Sequence, residues 1–445
     1  MATLDRPAGS RGTSNQVGRA PSLFVGWLLL VGVLFPGGFF ATTAAGPKLT
    51  VGRVAVLLLL IPAFVKLLKG YRRLIAADYL MVLTAIWMIS VAAYTGGSDS
   101  LSSAMAEAIE YAGGYFVARG LFAGPAGAAV FVRALKGIIV IVVLLGVVDT
   151  ASGRLIVHET LARMANTGPF LIPDFRMHLV RAASTFDHPI LFGTFCMISA
   201  IILMGSETDP TKWIVWVGIA SFGCFLALSS APLLSLTIGF GTFAYDRTMQ
   251  QFPWRWRLLW TFVAVLILLA FVVANHPVGW IISHLTFEPE SGYFRLIIWD
   301  RATARIAEQP ITGFAFNLLG DYILDYTVDS VWLVMALRFG LPMVAMLILV
   351  NLSTVVGSRA RVRGSRNSDV AHLTWGFSAA VVMYMLTGFT VHYWHFVWIF
   401  WGLCLGVRGS LREFALGEAR SRAAVPMRFA EPIGDFSHVQ TFGRP

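Results

Sequence analysis

The chain has 445 residues, 57% of them hydrophobic and 13% charged, with a formal net charge of +10 and a mean hydropathy of +0.71. Soluble domains carry about 25% charge, and a single core stops growing near ~300 residues, so this composition excludes an ordinary water-soluble globule. Lipid is the solvent that suits it.

The polar leader, residues 1–20, is followed by a full apolar run rather than a short one with a cleavage site, so no cleavable signal peptide is expected. Apolar runs of spanning length then recur along the chain, and at that depth only a structure that satisfies its own backbone survives. The runs are continuous, as in Leu258–Val273, and lack the alternation of a membrane barrel. The expected fold is all-α and polytopic, with about twelve transmembrane helices. They are placed near 22–42, 50–68, 77–95, 103–122, 127–148, 187–204, 213–229, 231–245, 258–275, 329–356, 371–390 and 392–408. Cys196, Cys224 and Cys404 fall inside these runs without metal-ligand spacing and read as packing residues rather than disulfides.

Most basic residues sit beside spans, which is a topological signal rather than a nucleic-acid one. Arg6, Arg11 and Arg19 precede the first span, and Lys66, Lys69, Arg72 and Arg73 separate the second and third. Arg247, Arg255 and Arg257 lie between the eighth and ninth, and Arg359, Arg361, Arg363 and Arg366 between the tenth and eleventh. Arg408, Arg412, Arg420 and Arg422 follow the last. An even span count puts all these clusters on one side, which predicts cytoplasmic termini. Two long connections, about 150–186 and 276–328, then face outward. Long loops in compact proteins are usually functional or disordered, and the aromatics of these two argue against disorder. The chain thus divides into a leader (1–20), a membrane domain (21–408) and a basic tail (409–445) read as disordered.

In the second outer loop a helix is predicted from Ser291-Gly292 to Gln309, stopped by Pro310. Ile298, Trp299, Ala302 and Ile306 share one face, and Arg295 points into its middle. A cation turned toward the protein needs an anionic partner, a carboxylate or a ligand. Arg301 and Arg305 lie at the edge of that face, and Arg305 is spaced to pair with Glu308 on the surface. The first outer loop ends in Arg181 to Pro189 at a span boundary, either an interfacial anchor with Asp187 as partner or an anion clamp that includes His188. Asp329 opens the tenth span and is either a helix cap or a general base. His392, Tyr393, Trp394 and His395 form the last outer turn, as an aromatic belt or a sugar site. No acidic or cysteine partner lies near these histidines, so no metal is expected. Glu107, Glu110 and Arg119 fall in or near the fourth span and take no assignment.

Tyr293 to Asp300, Glu308 to Phe314, Asp329-Ser330 and Arg338 to Pro342, in this order, resemble the C-terminal region of the O-antigen ligase and polysaccharide polymerase superfamily (WaaL/Wzy type). Arg181 to Pro189 and Leu228 to Ser230 fit the same pattern, so the resemblance spans about 181–349. It implies a metal-independent, inverting glycosyltransferase without a cofactor, in a bacterial inner membrane with its active face periplasmic. Donor and acceptor would be undecaprenyl-pyrophosphate-linked oligosaccharides. Polysaccharide export or chain-length-control proteins would be partners. The family's pyrophosphate-holding arginines match Arg181 and Arg295. Ligases carry a histidine where this chain has Asp329, which places it nearer the ExoQ-like exopolysaccharide polymerases. Arg295, Arg181 and Asp329 are the catalytic candidates, with His188, Arg301, Arg305, His392 and His395 as substrate-binding candidates. A ligase that moves finished polymer to a lipid or protein acceptor is the alternative, and a flippase for lipid-linked oligosaccharide is the rival from another class. A flippase would be expected to show repeated halves, which the sequence lacks.

Overall fold

The computed structural model describes residues 22–42, 48–69, 72–273, 289–356 and 368–423. The leader, Arg359 to Arg366 and residues 424–445 lie outside the described residues, as does the first part of the second long loop.

The described chain is overwhelmingly helical. In order it forms α1 (Leu23–Leu30), α2 (Val51–Lys69), α3 (Ala76–Thr95), α4 (Gly97–Ala108), α5 (Gly114–Leu121), α6 (Gly124–Ser152), α7 (Ile156–Met164), α8 (Pro189–Ser206), α9 (Pro210–Leu226), α10 (Ser230–Thr248) and α11 (Arg255–Val273). These are followed by α12 (Pro289–Glu308), α13 (Tyr322–Tyr326), α14 (Val331–Val355), α15 (Ser368–Thr387) and α16 (Phe396–Ala423). Six of the helices, α2, α3, α6, α8, α14 and α15, are long and apolar enough to cross a membrane. Many large apolar side chains face outward, among them Ile61, Leu68 and Val272. Such a surface calls for a nonaqueous surround.

The core is built where α16 packs on α5 and α8 packs on α9 and α15. It centres on Trp398 and Trp401, which stack on Tyr111 and Tyr384. All three cysteines are buried and free.

Three sequence expectations need correction. The first apolar run is not one straight helix: α1 tightens into a 3-10 turn, Val31–Leu34, before Pro36, Gly37 and Gly38 lead into strand β1 (Phe40–Thr42). Proline and glycine cannot sustain the helix there. β1 pairs antiparallel with β2 (Lys48–Thr50), and a second short hairpin pairs β3 (Phe175–Arg176) with β4 (Leu179–Val180); these small hairpins leave the fold mostly helical, as expected. The fourth run breaks into α4, a π-helical stretch Ile109–Gly113 and α5. The segment after Gly409 is no disordered tail as far as Ala423, because α16 continues. Leu411 and Ala415 are buried, and Glu413 Oε2 accepts from Arg72 and Arg119 at 2.6 Å each.

Glu107, Glu110 and Arg119 pair across helices. Glu107 meets Arg338, Glu110 accepts from Arg53 at 2.9 Å, and fully buried Arg119 donates to Asp78 at 3.0 Å.

The resembling motifs of the second long loop meet through their backbones. α14 is broken at Gly340, whose φ of 76° lies in the left-handed region, where only glycine is comfortable. The break, together with Pro342, frees the carbonyls of Leu337 and Arg338. They accept instead from Phe314 N–H at 2.7 Å and Ala315 N–H at 2.8 Å. Trp87 Nε1 donates to the freed Phe339 carbonyl at 2.8 Å. A Cβ at Gly340 would collide with the Ile311 carbonyl oxygen.

Candidate functional site

A cavity of about 180 Å³ opens among Arg176, Arg181, His188, Ser229, Ser230, Arg295, Asp329, His392 and Trp394. Five separate segments supply these residues. Of the sequence candidates, the cavity brings together Arg181, Arg295, Asp329, His188 and His392.

The first arginines arrive on the β3–β4 hairpin. Its two-residue turn, Met177-His178, has φ of 52° and 64°, the positive values that a type I′ turn requires. Side chains with a Cβ cost about 1–2 kcal/mol each there. The hairpin is held against the C-terminal end of α9, whose last carbonyls have no helical partner. Ala182 N–H donates to the Leu226 carbonyl at 3.0 Å. Arg181 Nε donates to the Ala227 carbonyl at 3.3 Å, and Arg176 Nη1 to the Leu228 carbonyl at 2.8 Å. Cations suit that helix end. Buried Arg181 also pairs with Asp174 at 2.6 Å, so its carboxylate partner is Asp174 and not Asp187.

His188 caps α8. Its Nδ1 accepts from Ile190 N–H at 3.1 Å, with Pro189 in the first helical position, where a missing N–H costs nothing. Burial, helped by Arg181, pushes its pKa down to about 4. At neutral pH the ring is uncharged, and because Nδ1 accepts, Nε2 carries the proton. His188 therefore offers a donor rather than a cation.

Arg295 comes from α12, whose Ile298, Ala302 and Ile306 are buried against Leu333, Ala336 and Leu337 of α14. α12 starts at Pro289, ahead of the predicted Ser291. Arg295 Nε is buried with no hydrogen-bond partner among the described residues. Burial lowers its pKa and the Asp329 charge opposes this, but a guanidinium stays protonated at any physiological pH. Burial correspondingly raises the Asp329 pKa above 3.8 while Arg295 pulls it down. Asp329 is accessible by area because it faces the cavity, and protein on its other sides still strips it of water. It does not cap α14: Ser330 is the N-cap, fixed by its own Oγ donating to the Gly388 carbonyl at 3.1 Å. The Asp329 carboxylate is left for other work.

His392 and Trp394 line the side formed by the turn between α15 and α16. Burial, with Arg338 and His395 nearby, holds His392 far below the ordinary imidazole pKa, and its Nδ1 has no partner among the described residues.

Three candidates lie elsewhere. Arg301 pairs with Asp321 at 3.1 Å. Arg305 pairs with Glu308 and lies over the Phe314 ring at 4.6 Å. Neither arginine lines the cavity, since they lie roughly 9 and 15 Å beyond Arg295 along α12 at the helical rise. His395 Nδ1 meets Asp187 Oδ2 at 2.6 Å, while Gly37 N–H donates to Asp187 Oδ1 at 2.7 Å. This pair ties the loop bearing His188 to the turn bearing His392. Burial and charge act oppositely on both members, and charge prevails: the His395 pKa is raised and that of Asp187 lowered.

Arg176 was not among the sequence candidates. Its neighbours Met177-His178 carry none of the usual hairpin turn residues, so its approach to Arg181 has no local signature. Among the described residues no group of three or more His, Cys, Asp or Glu is arranged to hold a metal ion.

Among the described residues the site is thus a recess lined by three arginines, one accessible carboxylate and two neutral imidazoles. It can hold a polyanion and take a proton from a group brought beside Asp329. No protein-family model matches the chain, and no curated protein matches it in sequence.

Proposed function

We propose that the chain is an inverting glycosyltransferase that polymerises undecaprenyl-pyrophosphate-linked oligosaccharide repeat units into exopolysaccharide or O-antigen. The observation that carries this reading is the convergence of Arg176, Arg181 and Arg295 on one cavity with Asp329. Arg295 Nε there lacks a partner among the described residues. The resemblance to the O-antigen ligase and polymerase superfamily points the same way.

In the proposed step an acceptor hydroxyl oxygen attacks the anomeric carbon from the face opposite the leaving group. The bond from that carbon to the pyrophosphate oxygen breaks, and the hydroxyl proton passes to Asp329. Charge developing on the lipid pyrophosphate is met by fixed guanidinium donors, which need no reorganisation. His188 Nε2–H and His392 are placed to orient sugar hydroxyls or phosphate oxygens.

The reading includes twelve spans in a bacterial inner membrane, with the cavity periplasmic. Six of the twelve apolar runs hold a helix long and apolar enough to cross a membrane, while the first and fourth are broken. Lys66, Lys69, Arg72, Arg73, Arg247, Arg255 and Arg257 lie at or between helix ends and do not line the cavity, as the positive-inside rule expects of a cytoplasmic face, while Arg408 and Arg412 lie inside α16.

The test is the product that purified protein forms from lipid-linked repeat units. A ladder of polymer is expected from the wild type and none from Arg295→Ala at equal protein level. Normal polymer from Arg295→Ala sinks the assignment. A single transfer to a lipid or protein acceptor replaces polymerase with ligase, and translocation of intact donor without a new glycosidic bond replaces it with a flippase.

A further inference from the structure

At the other end of the bundle, a second recess of about 460 Å³ is lined by Arg73, Leu74, Ile75, Tyr79, Glu413, Leu416 and Arg420. It lies far from the first cavity. α16 begins beside His395 and reaches Glu413 after 17 residues, roughly 26 Å at the helical rise.

The charges around this recess are unevenly matched. Arg119 is held by Asp78 at 3.0 Å and by Glu413 at 2.6 Å, and Arg72 by Glu413 at 2.6 Å. Glu413 also accepts from Arg73 N–H at 2.7 Å. Asp78 further accepts from Tyr115 Oη at 2.7 Å and from Ile75 N–H at 2.7 Å. Both carboxylates are therefore engaged by Arg72, Arg119, Tyr115 and backbone N–H groups. The side chains of Arg73 and Arg420 are exposed, and neither has a carboxylate partner among the described residues. Two guanidinium groups without a carboxylate partner among the described residues line one recess.

The rest of the lining is apolar or amphipathic. Leu74 is 45% and Tyr79 63% exposed, and Tyr79 lies in the first turn of α3, a helix apolar and long enough to span. A tyrosine and two arginines at the end of a span mark the headgroup level of a bilayer. A free phosphate would gain nothing from Leu74 and Leu416, whereas a phospholipid has an acyl chain to lay over them.

We propose that this recess binds the phosphodiester headgroup of an anionic phospholipid, with Arg73 and Arg420 on the phosphate and the acyl chains over Leu74, Tyr79 and Leu416. Each basic residue near an anionic surface adds enough to make two of them worth about 30-fold in affinity.

The test uses the purified full chain in neutral detergent, titrated separately with phosphatidylglycerol, phosphatidylcholine and sodium phosphate. Binding is read by native mass spectrometry and by the shift in apparent melting temperature. Phosphatidylglycerol is expected to bind about 30-fold more tightly than phosphatidylcholine. In Arg73→Gln/Arg420→Gln that preference falls to within about threefold. Both side chains are exposed, so the variant is expected to fold, and an unchanged melting temperature without added lipid verifies it. The single variant Arg420→Gln, with an intermediate preference, serves if the double variant is unstable. Equal binding of the two lipids by the wild type, or an undiminished preference in the variants, overturns the proposal. Sodium phosphate reproducing the full stabilisation overturns the lipid assignment.

Discussion

Leu341 N–H donates to the carbonyl of Pro310 at 2.8 Å, joining the end of the loop that carries Arg295 to the helix that begins beside Asp329. With Phe314 and Ala315 bonded to Leu337 and Arg338, this fixes α12 and the head of α14 as one unit. The two cavity residues of opposite charge are therefore positioned by a broken helix.

Gly340→Ala is expected to undo that unit. The left-handed φ costs about 1–2 kcal/mol for any side chain, and the collision with the Ile311 carbonyl adds to it. The apparent melting temperature in detergent should fall by several degrees, with limited proteolysis newly cutting the 309–320 segment. An unchanged melting curve would mean that the break at Gly340 is not needed.

Asp329→Asn keeps the shape of the carboxylate and removes its basicity. In the proposed reaction the turnover rate should drop about 10²–10⁴-fold, the usual contribution of a positioned base. Donor binding should be unchanged or tighter, because a negative charge beside Arg295 is gone. A rate within twofold of wild type would exclude Asp329 as the base.

Arg301→Ala and Arg305→Ala are the controls that separate this cavity from generic basic surface. Their pairs with Asp321 and Glu308 are substantially exposed, and such pairs contribute about 0–1 kcal/mol. Both variants should retain near-wild-type product and melting temperature. Loss of product in either would enlarge the site beyond the cavity.

Protonation should shape stability from two sides. The His395 pKa is raised above 6.5 in the folded state, so its contribution is complete below the unfolded value and fades as pH rises through the folded one. The lowered Asp187 pKa keeps its partner charge throughout that range and is lost only below 3.8. His188 acts in reverse. Its folded pKa of about 4 makes the unfolded chain take up the proton first, so stability declines as pH falls from about 6.5 toward 4. Melting temperature against pH should peak near neutrality, with His395→Gln flattening the alkaline limb and His188→Gln the acidic one. Parallel curves for all three proteins would contradict the assignment.

Helix positions were legible because burial and lipid exposure both select apolar side chains, which leaves long continuous runs. Proline, glycine and charge then marked most of their ends. Arg295 was legible because its helix repeats every 3.6 residues, so a cation among Ile298, Ala302 and Ile306 stands out. The role of Asp329 beside Ser330 was not, because either residue can cap a helix and only the fold decides which does. The Asp187–His395 pair spans 208 positions and leaves no local trace. Arg176 depends on a turn whose residues, Met177 and His178, carry strain that neighbours must hold. Helical continuation past Gly409 was hidden by its charge, since Arg72 and Arg119 supply the partners for Glu413 from distant segments.

A recess of about 180 Å³ is below the ~300–1,000 Å³ of pockets that enclose a whole drug-sized ligand. It can grip a headgroup but cannot engulf a chain of sugars. In the proposed role, the repeat unit must lie across the outer surface, over the β3–β4 hairpin, α13 and the α15–α16 turn. Bond making and sugar choice would then be separable. Exchange of those surface segments between homologous chains should re-address the enzyme to a different polymer while the arginines and Asp329 stay in place.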